Sequence, residues 1–172
     1  MEISRQKIAD KAFALAKKYE TENGNCAQCV FAAVTEVLGM ESNEVFRAAT
    51  GFADGIGFTG DGHCGALSGA VMAISYVFGR QKEEFNRRGK MMKAILLSRK
   101  LENKFMSEYG VCRCHDLQTK FFGRFFNIIE PSEWEAAIKA GVLEKCSSLS
   151  GHVAGIATEL ILEQQEKDAA KT

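Results

Sequence analysis

Six cysteines carry the reactive chemistry of this chain: Cys26, Cys29, Cys64, Cys112, Cys114 and Cys146. Two form a CxxC, two form a CxC, and two stand alone. The thiolate is both the metal ligand and the nucleophile of cysteine chemistry, so such a set points to metal binding or redox exchange. Each position falls at the end of an expected element. Cys26 and Cys29 sit at a helix start, and Cys64 opens an apolar helix. Cys112 and Cys114 lie just past a helix stop, and Cys146 opens the final helix. Helix N-termini present free N–H groups and a partial positive charge, which favour thiolate. All six are candidate metal ligands.

The stretch Thr50 to Gly62 (TGFADGIGFTGDG) is Gly-rich and has no helical period, so it reads as a loop. Glycines let backbone approach a bulky inorganic group, and their N–H groups can donate to cluster sulfurs. Gly55, Gly57, His63 and Gly65 are therefore candidate cofactor contacts. Three chemistries fit. The first is an iron–sulfur cluster that exchanges electrons with a redox partner protein or a small-molecule acceptor. The second is a metal-free thiol–disulfide oxidoreductase or sensor. In it Cys26/Cys29 or Cys112/Cys114 would cycle, with Cys64 as a low-pKa attacker. The third is a zinc-stabilised interaction module, although structural zinc usually pairs a CxxC with a second compact pair. Covalent c-type haem is disfavoured because Val30, not His, follows Cys29.

His63 and His115 adjoin Cys64 and Cys114, and metal ligation or proton relay stands level with a plain surface-loop role for each; His152 reads as structural. Asp54 and Asp61 read as turn residues, with a catalytic role as the weaker alternative because no paired acid or nucleophile is evident. Phe121, Phe122, Phe125 and Phe126 read as core packing beside the CxC, with shielding of a cluster or a dimer face as the functional alternatives.

The elements that position these residues are helical. The 172 residues include one proline, Pro131, so helix breakers are few. A first amphipathic helix runs through Ile8, Ala12, Leu15, Ala16 and Tyr19. Asn25 caps a second, from Cys26 to about Leu38, ending at Gly39. Ser42 or Asn43 caps a short third. Cys64 to Phe78 is almost wholly apolar and predicts a buried central helix. Gln81 to Tyr109 predicts one long helix, with Phe85, Met92, Ile95, Leu96, Leu101 and Phe105 inward and Gly110 closing it. Cys112 to Phe126 is irregular or short-helical. Ser132 caps a helix reaching Gly141, and a last helix spans about Cys146 to Glu166, with a frayed polar tail over 165–172. The expectation is a single all-α domain, a compact bundle of about six to seven helices.

Charge excludes other classes. Lys plus Arg is 22 and Asp plus Glu is 22. A balanced chain gives no electrostatic reason to bind nucleic acid or an anionic membrane. No stretch is apolar for long enough to span a bilayer. Met1 to Glu20 lacks the unbroken apolar run of a signal peptide, so the expected location is cytoplasmic, where thiols stay reduced.

Four segments carry a resemblance. They are Asn25-Cys26-Ala27-Gln28; Gly51-Phe52 through Gly57, followed by Cys64-Gly65-Ala66-Leu67-Ser68-Gly69-Ala70; Cys114-His115-Asp116-Leu117; and Cys146 with His152-Val153-Ala154. From about Asn25 to Leu162 the chain resembles the C_GCAxxG_C_C family of putative redox-active proteins. His63 before Cys64 departs from the literal pattern. The resemblance implies an all-helical redox protein, chiefly of anaerobes, and selects Cys26, Cys64, Cys114 and Cys146, with Cys29 and Cys112 as extras. A similar domain occurs in split-Soret cytochromes beside a cluster and haems. This chain lacks the haem motifs, so the cluster alone carries over. Four thiolates match the ligand count of [2Fe–2S] and [4Fe–4S] clusters. A homodimer is a further expectation, because the long helices and the Phe-rich segment offer apolar surface.

Overall fold

Residues 4–171 are described by a computed structural model. They form eight α-helices: α1 (Arg5–Asn23), α2 (Cys26–Leu38), α3 (Asn43–Ala48), α4 (Gly65–Phe78), α5 (Met92–Tyr109), α6 (Cys114–Phe122), α7 (Pro131–Lys139) and α8 (Val142–Ala169). Among them there is no strand, only an isolated antiparallel bridge between His63 and Arg113. The all-α expectation holds, with slightly more helices than expected. No helix of these residues is long and apolar enough to cross a membrane.

Small residues set the scaffold. Ala9, Ala12 and Ala16 form a buried stripe on α1, which lies along α8. Arg5 pairs with Glu166 and Lys17 with Glu144, so the two helices run antiparallel. At Gly151 of α8 a Cβ would stand 2.8 Å from the Phe13 carbonyl oxygen. Helices α2 and α4 meet still more closely. A Cβ on Gly69 would lie 2.2 Å from the Ala27 carbonyl oxygen. Around these crossings Val30, Phe31 and Val34 of α2 pack with Leu67 and Ile74 of α4, Leu101 and Phe105 of α5, and Val153 and Ile161 of α8. Each fully buried side chain of this size contributes about 1.5–3 kcal/mol over leaving it in water.

Caps explain several boundaries. The Asn25 side chain accepts from Gln28 N–H at 3.2 Å, and Gly39 ends α2 in the left-handed region, as the sequence indicates. Ser42, rather than Asn43, caps α3 through Val45 N–H. Gly110 closes α5 at φ 75°.

Three expectations are corrected. The long helix over Gln81–Tyr109 does not form as one piece. Residues Lys82–Glu84 and Arg88–Met91 are 3₁₀ turns, and α-helix begins at Met92. Helices owe most of their stability to packing of an apolar face. The run QKEEFNRRGKM offers only Phe85 and Met91 and carries Gly89. Phe85 is 73% exposed, with the Arg80 guanidinium 4.5 Å above its ring. Within α5 the buried set is Ala94, Leu97, Leu101 and Phe105, while Met92, Ile95 and Leu96 face outward. Second, α7 starts at Pro131 with Glu130 at the N-cap position, not at Ser132, because proline's fixed φ and missing N–H suit the first helical residue. Third, α8 begins at Val142, directly after Gly141 at φ 81°, so Cys146 lies in its second turn. The helix also runs on to Ala169. Lys93 reaches Asp168 at 2.6 Å and Lys100 reaches Glu163 at 3.1 Å, which ties the polar end to α5.

Candidate metal and redox centre

Four of the six cysteines line one cavity of about 280 Å³. Cys26 comes from the first turn of α2, Cys64 from the N-cap of α4, Cys114 from the start of α6 and Cys146 from α8. All are free thiols. Leu117, Phe121, Trp134, Ile138 and Leu143 form an apolar wall, and Glu20, Asp54 and Gln118 supply polar groups.

The Gly-rich loop builds one side of the cavity. Asp54, Gly55, Ile56, Gly57 and Phe58 all have positive φ in succession. For a non-glycine residue that conformation costs about 1–2 kcal/mol. Loop hydrogen bonds offset the strain: Gly57 N–H to Gly51 C=O at 2.9 Å, Gly60 N–H to Asp54 C=O at 2.9 Å and Gly62 N–H to Gly55 C=O at 2.8 Å. The coil turns the Asp54 carboxylate inward. Its Oδ1 accepts from Cys114 Sγ and from Gln118 Nε2, both at 2.8 Å. Gln118 is held in turn, because its Oε1 accepts from Phe126 N–H at 3.2 Å.

Backbone pairing locks two of the thiols together. Cys64 N–H donates to Cys112 C=O at 2.8 Å, and Cys114 N–H donates to Gly62 C=O at 3.0 Å. These bonds flank the His63–Arg113 bridge.

Burial dominates the electrostatics. It pushes the Cys64 thiol up to about 11, although the N–H groups of Leu67 and Ala66 at the α4 N-terminus favour its thiolate. The expectation that Cys64 is a low-pKa attacker is therefore corrected: the helix terminus acts in the expected direction and desolvation outweighs it. Burial, reinforced by Glu20, raises Cys26; burial, reinforced by Asp54, raises Cys114; burial, reinforced by Cys64, raises Cys146. The four thiols are neutral at neutral pH unless a cation draws their protons away. Desolvation also raises Asp54 against the hydrogen bonds from Cys114 and Gln118, and lifts Glu20 to about 7. Asp54 Oδ2 and Glu20 Oε2 are buried without hydrogen-bond partners.

The other candidates lie elsewhere. Cys29 is buried, donates to Gly24 C=O at 2.9 Å and lines a second cavity with Tyr19 and Glu36. Cys112 faces His63 and Glu102 on the outer side of the bridge. Neither the CxxC nor the CxC thus presents both its thiols to one cavity. Gly65 and Gly55 stand behind the cavity. A Cβ on Gly65 would lie 2.3 Å from Cys26 Sγ, and one on Gly55 would lie 3.0 Å from Cys114 Cβ and nearer still to Gly60. At Gly57 a Cβ would meet nothing within 4 Å. His115 stacks on Phe125 with centroids 5.4 Å apart. His152 pairs with the Tyr109 hydroxyl at 2.9 Å and with Glu108 at 3.3 Å.

Sequence reasoning missed Glu20 and Gln118 and preferred a turn role for Asp54 over a catalytic one. A signal for Glu20 was present: it continues the Ala9, Ala12, Ala16 stripe at helical spacing, which puts a carboxylate on a buried face.

The family described as "Putative redox-active protein (C_GCAxxG_C_C)" matches residues 24–160. The chain belongs to this family. No curated protein and no solved structure matches it. The matched span contains every cavity cysteine together with Asp54 and Gln118, while Glu20 lies ahead of it. This redox family's donor set here suits a metal centre. Four free thiols converge, two buried carboxylate oxygens lack partners, and the missing Cβ of Gly65 leaves the space that Cys26 Sγ occupies.

Proposed function

We propose that Cys26, Cys64, Cys114 and Cys146 hold an iron–sulfur cluster, and that the protein passes electrons between it and a redox partner protein or a small-molecule acceptor. The convergence of four free, buried thiols on one cavity carries this reading. Four thiolates are the ligand count of the common cluster types, and such a group supplies one-electron transfer when bound. The chain's own groups prepare the site. Asp54 Oδ1, 2.8 Å from Cys114 Sγ, is placed to take that thiol's proton. Gln118 Nε2 fixes the carboxylate at that angle. Glu20, whose carboxyl is raised to about 7 by burial, is a second store for a proton inside the cavity. Phe121, Trp134 and Leu143 keep water from the thiols.

The same reading places the protein in a reducing cytoplasm of oxygen-poor cells, where free thiols persist. We further propose a homodimer through the apolar surface of the long helices, where Ile95 and Leu96 of α5 are exposed. Sedimentation equilibrium showing a monomer at working concentration removes that dimer.

The decisive experiment is anaerobic purification with iron, zinc and acid-labile sulfide counted per chain. Iron and sulfide in near-integral ratio are expected. Serine at any one of the four cavity cysteines should remove most of the iron, and Cys29→Ser should leave it in place. Protein that stays free of iron after anaerobic reconstitution overturns the reading. One zinc on the same four thiols makes the site structural instead.

A further inference from the structure

A second constellation lies outside the four-cysteine cavity. His63, Glu102 and Cys112 each offer one ligand atom, and the three atoms all lie within 4.8 Å of one another. His63 Nε2 stands 3.7 Å from Glu102 Oε1, and the half-buried Cys112 thiol completes the trio beside them. The residues come from three segments: the end of the Gly-rich loop, the third turn of α5 and the linker between α5 and α6.

We propose that these three side chains bind a borderline divalent cation of the zinc class, as a clamp over the backbone bridge that positions Cys64 and Cys114. Imidazole nitrogen, thiolate sulfur and carboxylate oxygen are the ligands zinc takes, at about 2.0–2.3 Å. Tetrahedral bonds of that length set ligand atoms about 3.3–3.8 Å apart, so small side-chain rotations bring this trio into register. Three protein ligands leave the fourth position to water. Binding converts the Cys112 thiol to thiolate and releases its proton to solvent, with no change of oxidation state.

The surroundings are rigid where a clamp needs them to be. His63 and Arg113 form the antiparallel bridge. The Cys112 carbonyl accepts from Cys64 N–H at 2.8 Å, and Cys114 N–H donates to Gly62 C=O at 3.0 Å. A cation joining His63, Cys112 and Glu102 ties this bridge to α5. It thereby fixes the spacing of two cavity cysteines without entering the cavity. The site also accounts for the one thiol of the CxC that turns away from the inner set.

The test uses the full chain, depleted of metal and given zinc, with iodoacetamide modification followed at each cysteine by peptide mass spectrometry. Zinc should slow modification of Cys112 by about tenfold or more, because a metal-bound thiolate is no longer a free nucleophile. His63→Ala and Glu102→Gln should lose that protection, and each should bind one zinc fewer than the parent by equilibrium dialysis. Cys26→Ser, which disables the inner cavity, should keep it. Unchanged Cys112 reactivity with zinc, or equal protection in His63→Ala, overturns the proposal and leaves an ordinary His–Glu ion pair beside a thiol. Failure of the iron–sulfur reading reads out separately, since protection of Cys112 persists whatever the inner thiols hold.

Discussion

Where α2 crosses α4, order comes from the absence of side chains. Gly69 brings the backbone against Ala27, and Val30, Phe31, Leu67 and Ile74 fill the space around the contact. In the loop from Ala53 to Cys64, order comes from hydrogen bonds and from backbone held in an unfavourable region. Asp54, Ile56 and Phe58 all carry positive φ, and an aspartate is aimed into a mostly apolar cavity. The first region is stable because each residue is locally content. The second is not, and local discontent of this kind concentrates where a protein works. Residues that hold the fold thus differ in kind from residues that hold the site.

The largest effect is expected at the crossing. Gly69→Leu should destabilise the protein by upwards of about 3 kcal/mol, since overpacking here meets backbone rather than a movable side chain. A urea melt checks this, and an unchanged midpoint denies that the close approach matters.

Glu20 extends the contrast to pH. Its folded pKa of about 7 lies above the ordinary value of 4.5 because burial disfavours the anion. A group raised on folding stabilises most when protonated in both states, so its contribution is full below about 4.5. It is lost as the pH rises through about 7, by up to about 3 kcal/mol. Metal-free protein should therefore lose stability across that window, and Glu20→Gln should flatten the profile. A parent profile as flat as the variant's removes Glu20 from the cause.

Asp54→Ala tests the loop. It leaves the Gln118 amide only the weak Cys114 sulfur acceptor at 3.7 Å and should cost about 2 kcal/mol. Iron content per folded chain should fall further than in any scaffold variant of equal stability. Equal loss in both would erase the distinction between site and scaffold. The smallest effect is expected at Ile56, which is 55% exposed and sits at φ 69°. Ile56→Gly should raise stability by about 1 kcal/mol by relieving left-handed strain, less what glycine adds to the unfolded chain's freedom. A lowered melting temperature would show that Ile56's packing against Gly62 outweighs the strain.

Much of the scaffold was legible in the residues. Asn25 and Gly39 bracket α2, Gly110 ends α5, and the apolar run after Cys64 is a buried helix, because caps and hydrophobic runs act locally. The break before Met92 was harder to read. Residues 81–91 have adequate helix formers and lack only a packing partner, which is a tertiary fact.

The site divides in the same way. Sequence alone determined that thiols are the reactive groups, that a Gly-rich loop precedes Cys64, and that the chain is helical, since residue type and short-range spacing decide these. Which thiols meet was decided by the fold. Cys29 lies three residues from Cys26 and opens on another cavity, while Cys146, more than a hundred residues from Cys26, shares its own. Tertiary structure likewise set the charge state: the α4 N-terminus favours the Cys64 thiolate, and burial overrules it. Spacing along a chain fixes what a residue can reach locally. Desolvation and convergence depend on which elements pack around it, and no single segment contains that information.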